Sequence, residues 1–205
     1  FASMRCGYGF MLTTQQTLQI KTVGSTSYAI YTDSDGTVHY FEASEYIPGE
    51  VGEGSTTYSD TDGIGLTAVD PNSSVFSSEY EFFEEMGFGY ASSLILKDQA
   101  GNCFLFYNGL PTVFLDKNGN LVKYLYDTTS SSGTTWFPES TGSQLRRIVQ
   151  QNALANGAYT ADIPVATLTH NSDNYLTSIS SNGRTVTYTY SGVYLTSISV
   201  SEYLN

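Results

Sequence analysis

The chain has 205 residues, of which 20 are acidic and 8 are basic, so its formal net charge is −12. This charge excludes nucleic acid and anionic membrane surfaces as expected partners, because both need clustered Lys and Arg. Neutral glycans and divalent cations remain compatible with it. No run approaches the ~18 apolar residues of a membrane span, so no membrane insertion is expected. With Tyr at 17 positions and Gly at 19, the composition predicts an all-β fold.

Four glycine-containing turns, each between two runs rich in β-forming residues, predict four antiparallel hairpins. In chain order, these turns are Asp35-Gly36, Ala100-Gly101-Asn102, Asn118-Gly119 and Asn182-Gly183. The strand over residues 185–190 alternates most clearly, with Val and Tyr on one face and Thr on the other. We expect such a strand to bury one face and leave the other in water, as antiparallel sheets commonly do.

Three further segments receive a structural prediction from their composition and spacing. Residues 49–63 are polar and rich in Gly, so most of them are predicted as a loop, and residues 128–133 are a second candidate for a flexible segment. Residues 145–149 space their apolar side chains like a helix face, with Gly157 as a candidate C-terminal cap. They also match a recurring L-x-x-I/V element, and this match favours a strand, with the helix as the alternative.

Two acidic segments resemble parts of a calcium loop. They are Asp33-Ser34-Asp35-Gly36 and Asp60-Thr61-Asp62-Gly63. A complete EF-hand loop would carry a ligand two residues earlier, where this chain has Tyr31 and Tyr58. The spacing therefore favours turns closed by Asp side chains, and a cation site of another kind is the alternative.

Glu84 and Glu85 are adjacent carboxylates and a candidate catalytic pair. A glycosidase needs two carboxyl groups about 5 to 10 Å apart across a cleft, whereas neighbours on a strand face opposite sides. We therefore expect no catalytic role for this pair. The surrounding aromatic residues favour a core over a sugar-binding platform; they are Tyr80, Phe82, Phe83, Phe88 and Tyr90.

The remaining candidates for chemistry are two histidines and two cysteines. Neither His39 nor His170 has a Cys or a second His at the spacing of metal ligands, so both are predicted to be ordinary strand residues. The sequence leaves open whether Cys6 and Cys103 form a disulfide. It contains no nucleophile elbow, phosphate loop or dinucleotide fingerprint. No catalytic residue, cofactor or metal ligand is therefore predicted.

The six residues YLTSIS occur twice, at 175–180 and at 194–199, a displacement of 194 − 175 = 19 residues. Each copy contains an L-x-x-I/V element, Leu176–Ile179 and Leu195–Ile198, and the same pattern stands at Leu110–Val113 and Leu145–Ile148. We predict that each begins a strand–turn–strand unit, and that successive units pair edge to edge in one curled sheet. On an unbroken strand, Leu176 lies on the opposite face from Ile179.

Two of the units share a longer signature. In both, two tyrosines follow the glycine of the turn after five and seven residues (124 − 119 and 188 − 183; 126 − 119 and 190 − 183). The predicted structural signature residues are Leu110, Gly119, Tyr124, Tyr126, Asp127, Leu176, Ile179, Gly183, Tyr188, Tyr190, Leu195 and Ile198. This spacing indicates a pairing register, because a slip of one residue would turn every tyrosine to the other face.

Residues 110–127 (LPTVFLDKNGNLVKYLYD) and 176–191 (LTSISSNGRTVTYTYS) resemble the repeat of the Rhs/YD-repeat family. The first keeps the terminal Tyr-Asp of that repeat, whereas the second ends in Tyr-Ser. Upstream, residues 28–44, 61–69 and 96–109 are similar to the segment that precedes the repeats in large bacterial members of the family. The resemblance implies a β-rich lead-in over residues 1–92 and diverged repeats over 93–205.

From this resemblance we expect a non-catalytic fragment of an extracellular or cell-surface bacterial protein, which acts in scaffolding or adhesion. Its expected partners are further repeats of the same polypeptide, and glycans or a surface protein. No segment resembles the region of self-cleavage found in members of the family that carry a toxin. A carbohydrate-binding module that uses its tyrosines is the alternative function, and an enzyme is the third.

Overall fold

The structure is a computed structural model that describes residues 16–47, 55–60, 63–70, 77–87, 93–127, 134–135, 137–138 and 142–202. Within these ranges the protein is all-β, as predicted, and its strands pair antiparallel in a curled sheet. The described residues form one helix, α1 (Ser77–Glu85). The chain divides into two compact units, which we call unit A (residues 16–118) and unit B (residues 1–15 and 119–205).

The described residues of unit A form eight strands, and consecutive strands from β1 to β8 pair antiparallel. They are β1 (Thr17–Val23), β2 (Thr26–Thr32), β3 (Val38–Ile47), β4 (Ser55–Asp60), β5 (Leu66–Val69), β6 (Ser93–Asp98), β7 (Cys103–Tyr107) and β8 (Leu110–Leu115). In sequence, α1 lies between β5 and β6.

The core of unit A collects apolar side chains from seven successive strands. Its buried members are Leu18, Ala29, Tyr31, Phe41, Tyr58, Ala68, Leu96 and Phe106. Such a core requires the sheet to curl around one face, because side chains on a flat sheet of seven strands would lie too far apart to pack together. The backbone shows the same curl, since Leu18 N donates a hydrogen bond of 3.2 Å to Gly109 O, in the turn between β7 and β8.

Unit B contains the remaining strands. They are β9 (Leu121–Asp127), β10 (Thr134–Thr135), β11 (Leu145–Gln151), β12 (Ile163–His170), β13 (Leu176–Ser181), β14 (Arg184–Ser191) and β15 (Tyr194–Glu202). Strand β9 pairs with β10 and β11, and each strand from β11 onward pairs with its successor. The buried apolar side chains include Leu121, Tyr126, Leu145, Val149, Leu168 and Leu176.

One kind of hairpin turn is closed by an acidic or amide side chain. Thr37 N donates to Asp33 Oδ1 at 3.0 Å, and Asn102 N donates to Asp98 Oδ1 at 2.9 Å. In both turns the main chain of the Asp also pairs with the residue four positions later. The predicted hairpins at Gly36 and Gly101 are therefore confirmed, and the Asp side chain holds the loop closed.

The second kind of turn contains only two residues, both with positive φ. Asn182 and Gly183 have φ values of 48° and 75°, and they join β13 to β14 as predicted. Asn108 and Gly109, at 50° and 78°, join β7 to β8 in the same way, and this turn was not predicted. Asn followed by Gly suits such a turn because these residues tolerate the left-handed region best. The predicted turn at Gly119 lies between β8 and β9, with φ of 86°.

One prediction of secondary structure was wrong, and a second was incomplete. Residues 49–63 were predicted to be mostly loop, but residues 55–60 form β4, which pairs with β3 and β5 on either side; residues 49–54 and 61–62 lie outside the described ranges. Glu84 and Glu85 lie on α1, not on a strand, since the run SSEYEFFEE lacks β-branched residues and contains four glutamates, which favour a helix. Phe83 on this helix is buried, as predicted for a core residue. Residues 145–151 form β11, so the strand interpretation is confirmed over the helix.

Several predictions concern residues outside the described ranges. They include the flexible segment 128–133 and the aromatic residues Phe88 and Tyr90. Cys6 also lies outside them, whereas Cys103 is fully buried in β7. The division into a lead-in over 1–92 and repeats over 93–205 stays a prediction, because it rests on sequence repetition and not on compactness.

Candidate functional site

The L-x-x-I element of β11 contains a β-bulge. Leu145 pairs with Tyr126 of β9, but Arg147 pairs with Leu125, so Arg146 is an extra residue without an opposite partner in the ladder. The same arrangement recurs in two further strands. In β13, Leu176 pairs with His170 and Thr177 is the extra residue. In β15, Leu195 pairs with Tyr190 and Thr196 is the extra residue. A bulge at the same position of three strands indicates a feature that the L-x-x-I element itself specifies.

The bulge explains why the apolar residues of the element are spaced by three. In β13, Ile179 pairs with Leu168 and Leu176 pairs with His170. Leu168 and His170 are two residues apart on β12 and share a face, so their partners Leu176 and Ile179 also share a face. The prediction that these two residues face opposite sides was therefore wrong, because the extra residue Thr177 shifts the alternation by one.

Hydroxyl groups at these bulges bond to the partner strand. Thr177 Oγ1 donates to Thr169 O at 3.1 Å, and Thr196 Oγ1 donates to Thr189 O at 3.0 Å. A bulge interrupts the ladder and leaves a backbone carbonyl in need of a donor. The threonine that both YLTSIS copies share therefore stabilises the irregularity that the repeat introduces.

Arg146 replaces threonine at the bulge of β11, and it joins a polar cluster that spans three strands. Its Nη2 atom lies 3.3 Å from Asp127 Oδ2, and its Nη1 atom lies 3.2 Å from His170 Nδ1. Asp127 Oδ1 also accepts a hydrogen bond of 2.7 Å from Gln144 N. We call these four residues the Asp–Arg–His cluster; they link the end of β9 to β11 and β12.

The cluster determines the protonation of His170. A guanidinium can only donate, so Nδ1 of His170 is the acceptor and its proton lies on Nε2. That Nε2 atom is buried, and it has no hydrogen-bond partner among the described residues; the same holds for Gln144 Oε1. Burial, followed by the nearby charge of Arg146, lowers the pKa of His170 to about 4. The imidazole is therefore neutral near pH 7.

The repeat-signature residues occupy different environments rather than one site. Leu110, Tyr126 and Leu176 are buried, while Gly119 and Gly183 occupy turns. Asp127 belongs to the Asp–Arg–His cluster. The remaining residues range from half-buried to exposed; they are Tyr124, Ile179, Tyr188, Tyr190, Leu195 and Ile198.

Tyr190, one of the repeat tyrosines, contacts the first YLTSIS copy in two ways. Its hydroxyl donates to Leu176 O at 2.7 Å, and its ring lies 5.1 Å from the ring of Tyr175. A single tyrosine of β14 thus contacts both the side chain and the backbone of the YLTSIS copy at β13. These contacts add to the backbone ladder between the two strands.

The acidic turn at residues 33–36 holds its own carboxylates. Asp33 Oδ1 accepts from the amides of Asp35 and Thr37, and its Oδ2 lies 3.1 Å from His39 Nε2. The predicted turn closed by Asp side chains is therefore confirmed here. In the second acidic segment, Asp60 Oδ2 accepts from Gly65 N at 2.9 Å. Within the described ranges, no three His, Cys, Asp or Glu side chains are grouped as they would be around a metal ion.

Sequence reasoning missed the Asp–Arg–His cluster. His39 and His170 both lie on strands, as predicted, but His170 also carries a hydrogen bond from Arg146. A signal was present in the alignment of the L-x-x-I elements, where Arg146 stands at the position of Thr177 and Thr196. A long cation at the position that holds threonine in both YLTSIS copies indicates a different set of contacts.

Comparison of the sequence with models of known protein families and with curated proteins gave no match. The resemblance to the Rhs/YD-repeat family therefore stays a prediction that depends on the order of its motifs. The one helix of the described residues is too short and too polar to cross a membrane.

Proposed function

We propose that this chain is a non-catalytic structural and interaction module, part of an extracellular bacterial YD-repeat shell that acts in scaffolding or cell-surface adhesion. The observation that carries the proposal is the recurring bulge of β11, β13 and β15. In each case the Leu of an L-x-x-I element pairs with the last or the last but one residue of its partner strand, which is β9, β12 or β14. Units that share one pairing register can be added in series, as a scaffold requires.

An insertion tests the scaffolding part of the proposal. Residues 175–193 form one period, because the next YLTSIS begins at Tyr194. A second copy of these residues, inserted after Val193, should fold as an added hairpin and raise the urea m-value in proportion to the surface it buries. The control is an insertion of the same residues in scrambled order. Equal m-values for the two insertions would contradict modular growth of the sheet.

Adhesion is tested separately with the chain attached to beads. The net charge of −12 keeps such a module from associating unspecifically with acidic surfaces, so retention of bacterial or host cells would indicate a specific contact. Beads coated with the heat-unfolded chain provide the control. If both preparations retain the same number of cells, the adhesive role is contradicted. The scaffolding role is tested only by the insertion experiment above.

Carbohydrate binding is a second candidate, favoured by two exposed aromatic side chains. Tyr40 in unit A is 51% exposed and Tyr194 in unit B is 67% exposed. Exposed tyrosine rings can stack on the apolar face of a sugar. Binding on a glycan array that is lost in Tyr40→Ala or Tyr194→Ala would support this function. An absence of binding to both neutral and sialylated glycans would contradict it.

A further inference from the structure

The two copies of YLTSIS have different surroundings. In the first copy, β13 lies between β12 and β14. In the second copy, β15 pairs, within the described part of the chain, with β14 alone. The first tyrosine of the repeat reflects this difference, since Tyr175 is 9% exposed whereas Tyr194 is 67% exposed.

The paired edges of the two copies are equivalent. β13 meets β12 with a bulge at Thr177, and β15 meets β14 with a bulge at Thr196, the same residue of the repeat. In each case the threonine hydroxyl donates to a carbonyl of the preceding strand. The outer edge of β15 therefore corresponds to the edge of β13 that β14 covers.

The contacts between β13 and β14 show what this edge binds. Ile179 pairs with Val186 across the ladder. The ring of Tyr190 lies 5.1 Å from that of Tyr175, and its hydroxyl donates to Leu176 O at 2.7 Å. β14 alternates Thr with Val and Tyr, so one of its faces supplies all three of these contacts.

A displacement of 19 residues transfers the same recognition surface to β15. Tyr194 takes the place of Tyr175, the carbonyl of Leu195 that of Leu176, and Ile198 that of Ile179. Ile198 is 54% exposed. Residues 194–201 carry no charged side chain in a chain whose net charge is −12, so no charge on this edge opposes an added strand.

We propose that the outer edge of β15 is a strand-docking site for an extended segment with the alternation of β14. Thr residues of the segment alternate with Val and Tyr, its valine packs on Ile198, and its last tyrosine stacks on Tyr194 and donates to the Leu195 carbonyl. Backbone hydrogen bonds provide affinity for such a strand, and the side-chain contacts select its sequence. The proposal rests on the hairpin repeat of the proposed function and adds the chemistry of the partner.

The probe is a synthetic peptide with the sequence of residues 184–191, RTVTYTYS, titrated into the 205-residue chain and followed by NMR. We expect the amide signals of Tyr194 and Ile198 to shift with saturation. Ile198→Lys should weaken binding at least tenfold, because it places a charge where the valine packs. Tyr194→Ala should weaken it severalfold, whereas Tyr40→Ala, which removes an exposed tyrosine of unit A, should leave it unchanged.

A second peptide, in which the last tyrosine is replaced by Ala, tests recognition by Tyr194. Equal binding of both peptides would overturn the proposal, since the edge would then select only an extended backbone. The absence of any shift in a folded chain would also overturn it. The proposal would also be overturned if the chain formed a dimer that did not bind the peptide and that Ile198→Lys dissociated. The strand at this edge would then come from a second copy of the chain. A successful insertion of residues 175–193 without peptide binding would contradict the docking site alone.

Discussion

Thr177 and Thr196 occupy the same bulge in two strands that share the sequence LTSIS. The hydroxyl of each donates to the carbonyl of a threonine on the preceding strand, at 3.1 Å for Thr169 and 3.0 Å for Thr189. The repeat therefore encodes more than a strand, because it includes an extra residue and the donor that satisfies the interrupted ladder. Both apolar residues of L-x-x-I reach the same face as a result.

Removal of the hydroxyl at the inner bulge should destabilise the protein. In Thr177→Val, the carbonyl of Thr169 loses a donor, and we expect the free energy of unfolding to fall by about 0.5 to 1.5 kcal/mol. Urea denaturation measures this change. Thr177→Ser keeps the hydroxyl and should cost less. Thr196→Val should have a smaller effect, since water can replace the donor at this exposed position. A Thr177→Val variant as stable as the parent would contradict this role.

Acidification should reveal the neutral state of His170. Its pKa is about 4 in the folded chain against an ordinary value of 6.5, so the unfolded chain takes up the proton at a higher pH. The contribution of neutral His170 to the free energy of unfolding is fully present above pH ~6.5 and is lost as the pH falls towards ~4. With screening by water included, we expect this loss to be about 1 to 2 kcal/mol.

His170→Asn keeps an acceptor for Arg146 but does not titrate in this range. The difference in unfolding free energy between the parent and this variant, measured by denaturation from pH 7 to pH 4, isolates the contribution of the histidine. His39→Asn is the matched control, and it should retain the decline due to His170. A parent and a His170→Asn variant with parallel pH profiles would show that the imidazole is not held neutral.

Burial is the main cause of the low pKa of His170, and the charge of Arg146 lowers this pKa further. In Arg146→Met the repulsive charge is lost while much of the side-chain volume is kept, so the pKa of His170 should rise towards its ordinary value. Asp127→Asn removes the carboxylate that favours the protonated imidazole, and the pKa should fall further. NMR titration of the His170 ring measures both changes. Shifts in the same direction in the two variants would contradict the cluster.

The two-residue turn at Asn182-Gly183 should tolerate few substitutions. Gly183 has φ of 75°, a conformation that costs other residues roughly 1 to 2 kcal/mol, so Gly183→Ala should lower the unfolding free energy by about 1 kcal/mol. Gly183→Asn should cost less, because Asn tolerates this region. No atom lies within 4 Å of a Cβ added here, so the loss would be conformational and not steric. Equal stability of the Ala and Asn variants would contradict this explanation.

The sequence was sufficient to predict the fold class because its signals are local. Gly36, Gly101 and Gly183 mark turns between alternating runs, and each hairpin joins strands that are adjacent in the chain. The same reasoning did not predict β4, because Thr56, Thr57 and Tyr58 stand in a polar, Gly-rich segment without a clear alternation. Two neighbouring strands impose its extended conformation, and single-sequence propensity does not include that tertiary pairing.

The bulges and the Asp–Arg–His cluster could not be predicted for a different reason. The apolar residues of L-x-x-I are three positions apart, whereas residues on one face of a regular strand are two positions apart. The bulge adds one residue and so places both apolar side chains on the same face, and this becomes visible only when the pairing register is known. The contact between Arg146 and His170 depends on that register as well, because the residues are 24 positions apart in sequence. The sequence repeat indicated which residues have a structural role, but the strand pairing determines which residues they contact.

The order of strand pairing also determines how each unit can fold. In unit B, every strand from β11 to β15 pairs with its neighbour in the chain, so hairpins can form one after another with short loops to close. Unit A adds a contact between Leu18 N and Gly109 O, at opposite ends of its sequence. Closure of such a long loop carries a larger entropic cost. Unit B should therefore acquire its backbone protection against hydrogen exchange stepwise, and unit A in one late, concerted event.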